Sequence, residues 1–516
     1  MQKRQFELPG RLVAPALALA TLLAAGCQSE VPQQGRMPNL IFLMADDMGY
    51  GDLGSYNDGS KIGTPHMDAL AASGMRFTDA HSGSAVCTPT RYGVVTGRYA
   101  WRSPLKRGVL SGYSRALIEP ERMTVASMLR ERGYHTAVVG KWHLGLDWAT
   151  VSEPASWNEG DTSAAFQGAS DFARPEGLEI DFTKPVTNGP MTLGFDYSYI
   201  IPASLDMAPY VYLENNLCEK PATEHEPGRF DGPVFWRPGE AAAGFDFFDV
   251  LPNLTRHAVR YIEERSESPD QPFFLYFPLP APHWPWVPTD EWVGRSGAGK
   301  YGDFVMQVDA QVGMLVEALQ RGGQYEDTLF IVTSDNGAEW DPSHIEEFGH
   351  HANHPSQRGK KRDVWEGGHR MPFIASWPAR VAPGSTSDQT ICLTDLMATA
   401  AEIAGFELPE DAGQDSASFL PALLGEDAEP LREATVHHSV EGMFAIRQGK
   451  WKYIDGQGPG SNQWDGPEEG DPPAQLYDIQ ADRHEDRNLF DEHPDVAERL
   501  KALLETYKEQ GYSRRL

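Results

Sequence analysis

Between residues 39 and 430 the chain alternates short, nearly unbroken apolar runs with longer stretches whose apolar positions recur at three-and-four spacing. Strands buried on both faces read as continuous apolar runs, and helices lying on a sheet show the helical period. The rhythm predicts an α/β fold: a large mixed, mainly parallel sheet sandwiched by helices. Five runs carry it, Asn39–Met44, Thr136–Val139, Phe273–Phe277, Thr328–Thr333 and Pro372–Ser376. The first four lead directly into Asp46-Asp47, Gly140-Lys141-Trp142-His143, Pro282-His283 and Asp335-Asn336. Ligands of open α/β sheets sit beyond the carboxyl ends of parallel strands, so these four endings are expected to converge on one crevice.

The helices have their own punctuation. Thr64-Pro65 followed by Gly74 reads as an N-cap, a first-turn proline and a stop, and Thr124 to Arg132 ends at Gly133 in the same way. Residues 303–321 show an amphipathic period. Residues 150–190, rich in Gly, Ser, Asp, Glu and Pro, break the pattern as an irregular excursion of the kind that often decides specificity. From about residue 431 the pattern changes again. Met443–Ile454 reads as a hairpin turning near Gln448-Gly449, and 495–510 as a closing helix, which predicts a smaller C-terminal antiparallel sheet-plus-helix subdomain over 431–516. No internal repeat is visible.

Residues 1–26 combine basic Lys3, Arg4 and Arg11 with a short apolar run, Leu12 to Ala25, as an export signal does. The run ends Leu22-Leu23-Ala24-Ala25-Gly26-Cys27, similar to a bacterial lipobox with Ala24 at its usual leucine. Lipidation of Cys27 is expected, with simple cleavage near Ala25 as the alternative. A polar linker, 27–38, follows. The chain is then an exported periplasmic or cell-surface lipoprotein of a bacterium, touching membrane only through its N-terminal lipid. Of four cysteines this leaves Cys87, Cys218 and Cys392, the last two expected as separate buried thiols rather than a disulfide. The net charge of −30 excludes nonspecific attraction to nucleic acid or anionic lipid.

Cys87 lies in Ser84-Ala-Val-Cys87-Thr88-Pro89-Thr90-Arg91-Tyr-Gly-Val-Val-Thr96-Gly97-Arg98. A cysteine followed at fixed offsets by proline and arginine, then by Thr-Gly-Arg, resembles the signature of type I sulfatases of the alkaline-phosphatase-like superfamily. Gly140–Gly145 resembles the second signature of that family. The resemblance runs in order from about Asn39 to Arg380, and the tail around Phe444 to Lys452 and Leu476-Tyr-Asp also looks like the family's C-terminal subdomain; residues 150–270 carry no transferable motif.

The resemblance implies that Cys87 is oxidised by a separate maturase to Cα-formylglycine, whose hydrate attacks sulfur. It implies a metal site of Asp46, Asp47, Asp335, Asn336 and the modified Cys87, a set of hard oxygen ligands suited to Ca²⁺. It assigns Arg91 to the diol, Lys141 and Lys361 to sulfate, His143 to collapse of the sulfated intermediate, and His283 to sulfate and the departing sugar oxygen. Counting back from Trp365-Glu-Gly-Gly selects Lys361, with Lys360 the adjacent alternative. Within the family, Phe195-Asp-Tyr, Ile201–Tyr210 and His350–His354 look most like bacterial exo-acting carbohydrate sulfatases, leaning to 6-O-sulfated galactose or N-acetylgalactosamine, with Asp206, Trp284 and His354 as sugar contacts. The rival readings are a phosphodiester or phosphonate monoester hydrolase of the same superfamily, and a catalytically inactive glycan-binding lipoprotein.

Overall fold

The strand Asn39–Asp46, buried along its whole length, is flanked on both sides by parallel neighbours, Phe273–Pro282 and Thr328–Ser334. In this computed structural model the described residues are 36–154, 172–426 and 429–514, apart from 463, 465 and 468. The export signal, Cys27 and most of the 27–38 linker lie outside them. Residues 37–516 form one compact unit, which takes in both the main α/β part and the C-terminal sheet.

The main sheet has ten strands. Its parallel centre runs Thr328–Ser334, Asn39–Asp46, Phe273–Pro282, His135–Lys141 and Tyr197–Ile201. Four of these are the predicted runs. The fifth predicted run becomes Phe373–Ser376, which pairs antiparallel with Thr328–Ser334, while the parallel strand Tyr197–Ile201 falls in a stretch with no predicted run. Its register with His135–Lys141 pairs Lys141 with Ile201, which sends the chain on into Ala203 to Met207 beside the carboxyl ends of the other strands.

Helices cover the sheet as the periodicity required. The long helix Gly299–Arg321 starts four residues before the predicted 303. Its Asp309 carboxylate accepts the His66 and Met67 amides at 3.1 and 2.8 Å, so the first turn of Pro65–Ser73 is capped from a neighbouring helix. Thr64, expected to do this, donates instead to Asp68. Thr124 does cap Val125–Glu131, in a capping box with Ser127. The C-terminal sheet is four antiparallel strands, Thr435–His438, Phe444–Gln448, Trp451–Ile454 and Gln475–Asp478, followed by the helix Pro494–Gln510. Cys87, Cys218 and Cys392 are free thiols, Cys218 only partly buried. Among the described residues no helix is long and apolar enough to cross a membrane.

Candidate active site

Asp46 ends the central strand after a register shift between Met44 and Asp46, and Asp47, the next residue, adopts φ 66°. A left-handed conformation costs a non-glycine residue about 1–2 kcal/mol, and such strain gathers at functional sites. His143 shows the same feature, φ 57°. The strand accordingly stops at Lys141 and the chain turns. Gly140 makes the approach possible, because a Cβ there would meet the Pro278 carbonyl oxygen at 1.9 Å.

Four strand ends then meet. Lys141 Nζ lies 2.5 Å from Asp46 Oδ2, and Lys361 Nζ 2.8 Å from Asp47 Oδ2. Asn336 Nδ2 donates to Asp47 Oδ1 at 2.6 Å, and His283 Nε2 stands 3.8 Å from Asp47 Oδ2. Arg91 projects from the helix Cys87–Thr96, whose N-terminus holds Cys87. Its guanidinium, expected on the modified cysteine, is engaged by Asp335 Oδ2 at 2.7 Å and by the Lys141 carbonyl at 3.0 Å. Lys360 turns the other way, to Glu339 and Asp341.

The charges are crowded and almost dry. Burial alone would raise Asp46, yet Lys141, His283, Arg91 and Lys361 together hold its carboxyl well below the usual range. Burial, then the charge of Asp46, push Asp335 up to about 7. Burial, then Lys141 and Arg91, keep His143 neutral. Its Nε2 faces the Leu110 carbonyl at 2.7 Å and so carries the proton, leaving Nδ1 as a bare, unpartnered lone pair. Burial also raises the Cys87 thiol, against the pull of Lys141 and Lys361. A protonated thiol is a weak nucleophile, so an unmodified Cys87 is poorly suited to attack.

Two further atoms are buried without a partner, Asp46 Oδ1 and Asn336 Oδ1. Orphaned oxygens are costly unless something not yet counted takes them up. Ligand atoms of Asp46, Asp47 and His283 lie within 4.8 Å of one another. Orphaned oxygens and close carboxylates fit a hard divalent cation. The formal charge agrees: Arg91, Lys141 and Lys361 balance Asp46, Asp47 and Asp335, so a dication would leave the site at +2 and attractive to an anion within a strongly acidic protein.

The site opens into a cavity of about 380 Å³ whose lining includes Cys87, Asp47, His283, Lys361, Asp206 and Trp284. Asp206 forms an ion pair with Arg237, and the Trp284 indole nitrogen is buried without a partner. His354 is not among the lining residues. Half-buried, it meets Tyr50 edge-on and shares a hydrogen bond with Ser356, so its expected sugar contact is not supported. Sequence reasoning missed Phe172, Phe235, Arg237, Glu339, Asp341 and Arg362 on the cavity wall; of these, Glu339 and Asp341, just past Asp335-Asn336, and Arg362, next to Lys361, lie near a motif. A larger cavity, about 470 Å³ beside the C-terminal sheet, is lined by Asp388, Arg432 and Arg447 among others and holds none of these site residues.

The Sulfatase family model matches residues 38–406, and a model described as N-sulphoglucosamine sulphohydrolase, C-terminal, matches 359–510. An N-acetylgalactosamine-6-O-sulfatase of Bacteroides thetaiotaomicron is 33% identical, over 96% of this chain and 98% of its own. Human arylsulfatase A is 33% identical over 94% of this chain and 90% of its own. A solved structure from work on glycosaminoglycan metabolism by Bacteroides thetaiotaomicron superposes with a TM-score of 0.77 at 33% identity, covering 92% of this chain and all of that one.

Proposed function

The chain belongs to the sulfatase family and is a sulfuric ester hydrolase, and from that premise we propose that it removes a 6-O-sulfate from galactose or N-acetylgalactosamine at the end of a glycan, using formylglycine at position 87 and Ca²⁺. The observation that carries this reading is the convergence of Cys87, Lys361, His283 and Asp47 on one cavity, beside orphaned Asp46 and Asn336 oxygens. The likeness to an N-acetylgalactosamine-6-O-sulfatase supports the choice of sugar.

Asp46, Asp47, Asp335 and Asn336 would hold the ion, and Arg91 keeps Asp335 in place through two hydrogen bonds to Oδ2. When bound, the ion supplies Lewis-acid stabilisation of negative charge and lowers the pKa of a coordinated hydroxyl. Residue 87, once converted to an aldehyde, supplies its hydrate as the oxygen nucleophile. The chain's own groups do the rest. Lys141 and Lys361 are fixed cations for sulfate oxygens, held without reorganisation by their carboxylate partners. His283 lines the cavity, and its Nδ1 faces the Trp284 carbonyl and so carries a proton; it serves as the acid for the leaving sugar oxygen only when Nε2, 3.8 Å from Asp47 Oδ2, is protonated as well. The free Nδ1 of neutral His143 is the base that takes a proton as the sulfated residue 87 is released.

Parallel assays of an aryl sulfate, an aryl phosphodiester and 6-O-sulfated N-acetylgalactosamine test the reading. Turnover of both sulfates, lost in Cys87→Ala, supports it. Preference for the phosphodiester would refute it, and binding of the sugar without turnover would make the protein a glycan-binding member that has lost catalysis.

A further inference from the structure

A two-stranded ribbon, Arg229–Asp231 with Val234–Trp236, stands at the edge of the cavity, and its two faces differ in a way that the hydrolytic centre does not explain. One face is anchored to the body. Val234 and Trp236 are buried on it, the Trp236 ring stacks on Phe247 at 4.0 Å and 9°, and its indole nitrogen donates to Glu226. The Pro233 carbonyl in the turn accepts the Trp286 amide at 2.9 Å, fixing the tip.

The other face carries a directly opposed pair, Phe230 and Phe235, with ring centroids 5.2 Å apart at 63°. Phe235 lines the cavity that holds Cys87. Phe230 continues the aromatic surface outward and is 66% exposed. A single exposed apolar residue needs no explanation, but one that extends a cavity wall from a rigid ribbon marks a ligand surface. The wall is ordered on its inner side as well: the Arg237 guanidinium lies 5.0 Å from the Phe235 ring and is paired with Asp206.

We propose that Phe230 and Phe235 form an aromatic ledge that carries the sugar unit attached to the sulfated one, so that the enzyme is built for sulfated ends of oligosaccharides rather than for free sulfated monosaccharides. This rests on the carbohydrate sulfatase reading above. The chemistry is that of a sugar ring: its C–H face carries small positive charges that suit the negative face of an aromatic ring, and it buries apolar area without needing a fixed hydroxyl pattern. The ledge therefore contributes length preference, while Asp206, Arg237 and the hydrolytic centre hold the terminal sugar.

The test compares kcat/KM for N-acetylgalactosamine 6-sulfate as the free monosaccharide and as the terminal unit of a tetrasaccharide. Wild type is expected to prefer the tetrasaccharide. Phe230→Ala and Phe230→Leu should each reduce that preference about tenfold, mainly through KM, whereas Phe230→Tyr should retain it. Because Phe230 is largely exposed, all three variants should melt as wild type does, and Phe230→Leu retains apolar bulk while losing the ring face. A preference unchanged in Phe230→Ala would overturn the ledge while leaving the sulfatase reading intact. Hydrolysis of neither saccharide by wild type would overturn both.

Discussion

Two clusters of buried charge and histidine lie among the described residues, and one of them has the properties of a reaction centre. Asp46, Asp47 and His283 form the first; His81, His369 and His437 form the second, and in each the possible ligand atoms lie within 4.8 Å of one another. In the second, every ring nitrogen is already engaged. His81 meets His369 and Asp79, His369 meets the Val364 carbonyl, and His437 meets Thr435 and the Ser82 carbonyl. His369 and His437 stack at 4.1 Å and 6°, so their in-plane lone pairs run in parallel planes and do not converge on one ion. Around them Arg370, Arg447 and Lys452 are matched by Asp79, Glu366 and Glu485. The first cluster instead leaves Asp46 Oδ1, Asn336 Oδ1 and His143 Nδ1 unpartnered, beside an open cavity. Unmet hydrogen-bonding capacity separates a site from a structural network better than charge density or burial does.

The two clusters should diverge most at residue 87. Cys87→Ala should cost at least ~10³-fold in kcat, because it removes the precursor of the nucleophile, with the melting temperature unchanged. Lys361→Ala should follow at about 10²–10³-fold, the usual cost of losing one fixed partner of transition-state charge. In the second cluster the effect should move from rate to stability. Lys452→Met strips the cation from two buried carboxylates, Glu366 and Glu485, and is expected to destabilise the fold by about 3–5 kcal/mol in denaturant titration. The same variant, while folded, should keep kcat within about twofold of wild type.

Metal removal should tell the clusters apart again. Chelation should abolish turnover and lower the melting temperature, and calcium at a hundredfold excess over its Kd should restore about 2.7 kcal/mol of stability. Asp46→Ala should lose that calcium-dependent stabilisation, and Lys452→Met should retain it.

A further effect is expected on the acid side, spread gradually over more than two pH units. Burial pulls His81 down to about 4 from an ordinary value of 6.5, so between those values the unfolded chain binds more protons than the native one. Stability should therefore fall as the pH drops from about 6.5 towards 4, by up to about 3 kcal/mol from this residue. A thermal-melt series across that range checks it. A flat profile would mean that the histidine network is not held neutral.

Much of this architecture is legible in the amino-acid sequence. The central strands announce themselves because burial on both faces leaves no polar alternation, and four of them end in residues that a solvated loop has little reason to hold. Lys361 is separated from Lys360 by its offset from Trp365-Glu-Gly-Gly in the family pattern, and the two side chains have different partners, Asp47 and Glu339. The cavity wall is not legible in this way. Asp206 is reached only through the family likeness of Ile201–Tyr210, and Arg237 and Phe235 belong to or adjoin a three-residue ribbon strand too short for any period. His354 shows the converse: a histidine-rich run attracts attention, yet its side chain packs on Tyr50 and is not among the residues lining the cavity. Local chemistry survives in sequence, but the distances between irregular segments do not.

If the orphaned atoms surround a nucleophile that is no longer a thiol, the change must be visible in the mass of residue 87. The decisive measurement is the intact mass of the peptide carrying that residue, taken from fully active enzyme produced with a maturase. The expected peptide is about 18 Da lighter than the cysteine form, the difference between a CH₂SH side chain and an aldehyde. An unmodified cysteine mass in fully active enzyme would contradict the assignment.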